Sequence, residues 1–465
     1  MKLRHLLIIA VASLQTGILL ADEVTDEIRA LRKQIEELDQ KVRILERKQG
    51  LGEEATETKH KETPLVVAGA EGFLMRSADT NFVLRIRGYG QFDGRFYADN
   101  NPAKDTFVMR RMRLGLEGTV FKYYDYRILT DFGSGITSTA GNNAFLQDAL
   151  VNIHYWPEFQ VQFGKYKEPV SLEVLQSDAS LLFVERGLPT SLAPNRDVGI
   201  QFQGDLLNAR LSYALGIFNG VADGGSGDVE TTNSGKHFAG RIFTQPFKNS
   251  DSEIFRGFGI GIGGSFGDRA ETLPSYQTTG RQRFFAYRSG AGTNAATANI
   301  SADGEHWRIA PQGYYYYGPF GLYGEYVLSS QKVRRSAGGA PTSLTVDNDA
   351  WNIAVSYVLT GEQNSFNRVS PRHPLSLSDG GWGAWEIAAR FGELSMDKTA
   401  FPLVATSSSA QKIASWEIGL NWYLNKNLKF NFDYTQSHFK GGSKMPGEVT
   451  AQDEKVFMGR TQFSF

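Results

Sequence analysis

Cysteine is absent from the 465 residues. That excludes disulfides, thiol nucleophiles and cysteine-ligated zinc or iron–sulfur centres. Beyond the first twenty residues there is no apolar run of about 18 residues, the length a membrane-spanning helix needs. With a mean hydropathy of -0.32, a helical membrane protein is excluded. An excess of one charge is also missing, since 49 Lys and Arg stand against 50 Asp and Glu. The bulk numbers therefore give no nucleic-acid surface, and no nucleic-acid partner is expected. The 7 His, at positions 5, 60, 154, 237, 306, 373 and 438, never fall at the close spacing of a helical zinc motif. Neither a metal site nor a cofactor site is legible. What the chain has in quantity is 50 Gly, 31 Phe, 19 Tyr and 7 Trp. A β-barrel in a membrane would escape the hydropathy argument, because its lipid-facing and lumen-facing residues alternate and average out.

Residues 1–21 read as a secretory signal peptide, with Lys2 and Arg4 ahead of an apolar stretch from Leu6 to Leu14, a weaker segment to Leu20, and Ala21 at the cleavage point. The other reading, an N-terminal membrane anchor, is opposed by Gln15, Thr16 and Gly17, which interrupt a core already short for spanning. Over 22–49 the apolar residues Val24, Ile28, Leu31, Ile35, Leu38, Val42 and Leu45 repeat at alternating steps of four and three. That is a heptad seam. It puts Glu27 opposite Arg32 and Lys41 opposite Glu46 of a parallel partner, so a short periplasmic coiled coil is expected. The alternative is one amphipathic helix lying on the protein's own surface. Branched residues at the first seam position with Leu at the second nominally favour two strands. Residues 50–81 read as linker and barrel entry.

From residue 82 to 465 the period becomes two. Leu84, Ile86, Gly88, Gly90, Phe92, Gly94 and Phe96 alternate with Arg85, Arg87, Tyr89, Gln91, Asp93 and Arg95, and the pattern recurs, for instance in Leu428, Phe430, Phe432 and Tyr434. Runs at 84–97, 107–120, 124–132, 146–155, 158–166, 197–204, 208–217, 238–247, 256–266, 306–316, 319–330, 349–360, 382–394, 412–423, 428–437 and 455–465 make an even set of sixteen. The connections alternate long and short, except that 361–381 is long where a short one is due. This predicts an all-β fold, a sixteen-stranded antiparallel transmembrane β-barrel in the outer membrane of a Gram-negative bacterium, preceded by the short helix. The terminal Phe465 closes the last alternating strand, and the aromatic excess belongs in two girdles at the lipid interfaces.

With apolar faces turned to lipid, alternation sends Arg85, Arg87, Arg95, Arg111, Arg113, Arg127, Arg241, Arg308 and Arg390 to the lumen, along with Asp93, Glu117, Asp131, Asp148 and Glu386. Guanidinium groups keep their charge and grip oxyanions through a fixed fork, so a column of them can pass anions along by exchange. Equally, each Arg can pair with an acid and simply brace the wall. Loop 167–196 contains Leu172, Val174, Leu175, Leu181, Leu182, Phe183 and Val184, too apolar for a solvated loop. It is expected to fold inward and narrow the barrel, carrying Glu185 and Arg186 to mid-depth. Loop 267–305, rich in Gly, Ala, Thr and Ser, is expected to be external and mobile.

Several stretches resemble the phosphate-selective porin O/P family: Phe107-Val-Met-Arg-Arg-Met-Arg-Leu114, Phe163-Gly-Lys-Tyr-Lys-Glu-Pro-Val-Ser-Leu-Glu173, Phe183-Val-Glu-Arg-Gly-Leu-Pro189, Tyr213-Ala-Leu-Gly-Ile-Phe-Asn-Gly220 and Gly380-Gly-Trp-Gly-Ala-Trp-Glu-Ile387. The resemblance implies a homotrimeric sixteen-stranded channel for passive diffusion of small anions, phosphate or polyphosphate among them, with an infolded third loop. It also implies that Arg110 and Arg111 are ladder arginines and Arg186 the central loop arginine. Alternation alone points Arg110 outward, unless the strand bends there. Phosphate-specific relatives place a lysine after the Leu-Glu of the third loop, where this chain has Val174. The alternative is a general or sugar-type porin without phosphate specificity. An enzyme is not expected, because the scattered His residues offer no Ser/His/carboxylate arrangement.

Overall fold

The computed structural model describes residues 29–49, 63–69, 72–99, 103–133, 145–227, 235–270, 272–290, 298–336, 341–441 and 453–465. The expected signal peptide and residues 50–62 of the expected linker lie outside these residues, as does the start of the expected coiled coil.

Sixteen antiparallel strands form a closed barrel. They are β1 (Val83–Tyr97), β2 (Thr106–Val120), β3 (Tyr124–Asp131), β4 (Phe145–Trp156), β5 (Phe159–Lys167), β6 (Arg196–Leu206), β7 (Leu211–Phe218) and β8 (His237–Thr244). Next come β9 (Phe258–Arg269), β10 (Asn299–Tyr317), β11 (Phe320–Ser336), β12 (Thr342–Val358), β13 (Ala384–Ser395), β14 (Lys412–Tyr423), β15 (Leu428–Lys440) and β16 (Glu454–Ser464). Each pairs with its neighbours in sequence, and β16 pairs with β1 from Val456↔Tyr97 to Ser464↔Tyr89. Closure leaves no strand edge unpaired, which a lipid environment requires. Phe465 completes it by exchanging backbone hydrogen bonds with Gly88 at 2.9 and 3.0 Å. Ahead of the barrel strands, the strand Gly72–Arg76 pairs with β1.

Alternation is obeyed along the wall. In β15, Lys429, Asn431 and Asp433 are buried on the inner side while Phe432 is 51% exposed on the outer. Aromatic residues gather near both rims. Trp385 stacks on Trp422 and Phe159 on Phe202 at the short-turn end, and Phe92 stacks on Phe107 with Trp416 beside Tyr434 at the other. Amphipathic rings favour these interfaces.

One expectation about the connections needs correction. The fifth long loop is not wholly external. Its short hairpin, Ser275–Gln277 with Arg283–Ala286, buries Tyr276, Phe284, Phe285 and Tyr287 in the largest apolar cluster, beside Val327, Val346 and Leu394. Four aromatic side chains outweigh the surrounding Gly and Ser, since burying each is worth about 1.5–3 kcal/mol. The long connection 359–383 stands on the short-turn rim and packs inward. Phe366 stacks on Tyr314, and Val369 is buried with Val358, Ala384 and Tyr423.

Residues 29–49 form a separate helical unit. Arg43 pairs with Asp39 one turn away at 3.0 Å, and Leu31, Ile35, Leu38, Val42 and Leu45 are all exposed.

Candidate functional site

The third loop, 168–195, crosses the lumen as a tethered strap. After buried Val170, Ser171 caps one turn of helix, Leu172–Leu175. The Glu325 carboxylate on β11 accepts from Ser171 Oγ and the Leu172 amide, both at 2.9 Å, so the turn's free amides are satisfied from the wall. Farther along, Val184 N donates to Asp433 at 2.5 Å. Asn421 Nδ2 donates to Leu182 O at 2.9 Å and Lys429 Nζ to Leu181 O at 2.8 Å. Arg390, 4% exposed, bridges Glu173 of the loop at 3.0 Å and Glu417 of β14 at 2.8 Å. Leu172 and Phe183 pack on Phe243, Tyr323, Ala354 and Ala388. Gly263 lets the loop root lie against β9, because a Cβ there would sit 2.2 Å from Val170 O.

The opposite side of the strap faces β1 and β2. A bulge interrupts their register, so that Gln91 pairs with Arg111 and Phe92 with Met109, leaving Arg110 unpaired in the ladder. The bulge turns Arg110 inward beside Arg111. This overturns the outward orientation that strict alternation gives. Arg110 Nε meets Glu185 at 2.6 Å, and Arg95 Nη2 meets the same carboxylate at 2.9 Å. Asp178 is the second focus. Arg111 Nη2 lies 3.1 Å and Arg186 Nη1 2.5 Å from its Oδ1, while Arg113 Nη1 bonds its Oδ2. Arg113 also pairs with Asp131 at 2.6 Å, and Gln91 Nε2 holds the Asp178 carbonyl at 2.9 Å. Burial by itself would raise both loop carboxyls, yet the surrounding arginines hold Asp178 and Glu185 well below the usual carboxylate range. Both stay charged at neutral pH.

This double seat separates two cavities. The one on the long-loop side, about 380 Å³, is lined by Arg110, Arg111, Arg186 and Arg281 against two acids, Glu185 and Asp223. The larger, about 1090 Å³, opens toward the short turns and is lined by Arg87, Arg113, Arg127, Lys167, Arg196, Arg241, Arg368 and Lys426. Four acids oppose them there, Glu117, Asp148, Asp178 and Asp205. Both linings are net basic, a disposition that attracts anions.

Of the eleven arginines singled out from the sequence, Arg95, Arg110, Arg111, Arg113 and Arg186 converge on the double seat, Arg390 ties the strap to the wall and Arg308 meets Asp223. Arg87 and Arg127 share Glu117 at 3.1 and 3.2 Å lower in the pore, and Arg241 donates to Gln312 at 2.8 Å. Arg85 is exposed and borders neither cavity. Val174 is buried and gives the outer cavity an apolar wall at that point. Sequence reasoning missed Asp178, which has no flanking motif to mark it. It also missed Asp223, where the fourth long loop meets Arg308 at 2.8 Å and Tyr276 at 3.0 Å. Arg368, in the long connection 359–383, and Lys426, in the turn after β14, were missed because neither lies on an alternating strand.

A closed barrel with an apolar outer wall, a charged lumen and an inward strap defines an outer-membrane porin, a channel rather than an enzyme. The family model described as phosphate-selective porin O and P matches residues 84–465, and the chain belongs to that family. It is 23% identical over 433 residues to Porin O of Pseudomonas aeruginosa, covering 86% of this chain and 92% of that one. Among solved structures it is similar to the outer-membrane channel DcaP of Acinetobacter baumannii, with a TM-score of 0.53 at 11% identity, covering 86% of this chain and all of that one. An anion-selective porin from Comamonas acidovorans matches with a TM-score of 0.49 at 11% identity, covering 83% of this chain and 100% of that one.

Proposed function

We propose that the chain is a passive, anion-preferring pore for small oxyanions, phosphate or polyphosphate among them. The observation that carries this reading is the basic excess in both cavity linings, eight basic side chains against four acidic in the larger and four against two in the smaller. Arg87, Arg113, Arg127 and Arg241 line the larger cavity, and Arg110, Arg111 and Arg186 the smaller. Successive guanidinium groups offer exchange sites weak enough to release an ion. A second reading, a general or sugar-type porin, is favoured by the acids already paired with Arg110, Arg111, Arg113 and Arg186. Reversal potentials of the purified protein in planar bilayers under a potassium chloride gradient distinguish them. An anion-selective potential with saturable phosphate block supports the first, and cation selectivity without block at millimolar phosphate rejects it.

Homotrimeric assembly and a periplasmic coiled coil over 22–49 belong to the same proposal. The exposed seam of Leu31, Ile35, Leu38, Val42 and Leu45 supports helix pairing between copies. In this chain without cysteine, Leu38→Cys should cross-link copies under oxidation while Glu36→Cys, off the seam, should not. Equal cross-linking of the two would reject the pairing.

A further inference from the structure

We propose that Asp178 is the pore's resident counter-ion, a tethered carboxylate seated among Arg111, Arg113 and Arg186, which a permeating oxyanion must displace to pass from one cavity to the other. The inference deepens the proposed anion pore and rests on it.

The geometry shows what the seat binds. Three guanidinium groups from two elements converge on one carboxylate, with Arg111 at 3.1 Å and Arg186 at 2.5 Å on one oxygen and Arg113 on the other. The Tyr89 hydroxyl lies 3.5 Å from the second oxygen and accepts from Arg113 at 2.6 Å. Such convergence on both oxygens is the arrangement expected around a captured oxyanion. Here the occupant is covalently part of the third loop. Asp178 borders the larger cavity, while Arg111 and Arg186 border the smaller, so the bonded cluster stands on the boundary between them.

The loop is built to keep the carboxylate there. Ser177 caps the turn Asp178–Ser180 by accepting from the Ala179 amide, and Gln91 and Gln462 hold the carbonyls of Asp178 and Ala179 at 2.9 and 2.8 Å. These bonds fix the backbone independently of the carboxylate charge. Removing that charge therefore vacates the seat without untying the strap. A mobile anion then meets three arginines with one competitor fewer, so binding tightens and selectivity for anions rises. In the wild type the tether competes at high local concentration, which weakens every free anion alike and keeps release fast.

The test compares wild type, Asp178→Asn and Asp178→Cys as full chains in planar bilayers, reading reversal potential in potassium chloride and block by inorganic phosphate. Asp178→Asn is expected to lower the half-blocking phosphate concentration about tenfold or more and to move the reversal potential toward the anion limit. Asp178→Cys makes the measurement within one inserted channel, because the chain has no other cysteine. A methanethiosulfonate carrying an ethylsulfonate should return the channel toward wild-type selectivity, whereas the aminoethyl reagent of similar size should not. If the wild type is anion-selective and neither variant changes selectivity or block, the resident counter-ion is overturned and the anion pore stands. If the wild type is not anion-selective but Asp178→Asn becomes so, the counter-ion stands and the wild-type anion preference fails. If no channel is anion-selective, both fail. Equal effects of the two thiol reagents would show that bulk rather than charge acts at this position, and would also overturn the proposal.

Discussion

The two sides of the lumen use charge in opposite ways. On β11 to β15 the inward charges Glu325, Asp433, Arg390 and Lys429 are spent on the strap, binding its amides, carbonyls and Glu173, while Glu417 holds Arg390. On β1 to β3 the inward charges are mainly arginines, and Arg87, Arg110, Arg111, Arg113 and Arg127 border open space. The strap therefore covers the charges of the first wall, whereas the arginines of the second, though bonded to its Glu185 and Asp178, still border the cavities. Cavity linings that are net basic result from a lumen of mixed charges because the loop covers part of the acids. Identical residue types brace on one side and border open cavities on the other, according to what covers them.

The largest effect should come from breaking the bracing side. Arg390→Met leaves Glu173 and Glu417 buried without their shared cation, a loss of about 3–5 kcal/mol. Thermal unfolding in detergent should shift down clearly, and single-channel conductance should rise and become noisy as the strap loosens. Unchanged conductance would mean that the bonds from Glu325, Asp433, Asn421 and Lys429, with the apolar contacts of Leu172 and Phe183, hold the strap without Arg390.

Weakening the passage side should change selectivity more than stability. With Arg111→Gln and Arg113→Gln together, Asp178 keeps only Arg186 among its three ion-pair partners, and the reversal potential should move toward cation selectivity. A potential equal to wild type would remove these arginines from the permeation route.

A third test concerns the hinge between the sides, where Glu168 follows β5. It is fully buried, neither carboxyl oxygen has a hydrogen-bond partner among the described residues, and burial, then Asp197, pushes it up to about 8. A carboxyl raised above its unfolded value near 4.5 contributes stability below that value and loses it as pH rises through 8. Wild-type melting temperature should therefore fall between pH 4.5 and 8, and Glu168→Gln should flatten that fall. A parallel decline in the variant would contradict the assignment. The smallest effect is expected of Arg87→Gln. Its side chain is 43% exposed and shares Glu117 with Arg127, so stability should change by about 0–1 kcal/mol and reversal potential by less than in the double variant.

The strands and their count were legible because lipid on one face and water on the other impose a period of two along every strand. The inward course of the third loop was legible from Leu181, Leu182, Phe183 and Val184, which have no place in water. The fifth loop misled because Tyr276, Phe284, Phe285 and Tyr287 are scattered among Gly, Ser and Thr, and composition averages over them. Arg110 was ambiguous for a different reason. A bulge adds one residue to one strand, and no local pattern marks where it falls.

The sequence by itself determined that this chain is an outer-membrane barrel of sixteen strands with arginines on the inner face of its early strands, since periodicity and loop parity are local properties read directly along the chain. Only the tertiary structure decided which arginines meet which acids. Asp178 lies 67 positions from Arg111 and Asp433 far from Val184, and such pairings depend on where the strap lands once the barrel has closed. Charge in a lumen acts through distance and burial, and neither is written in the order of residues.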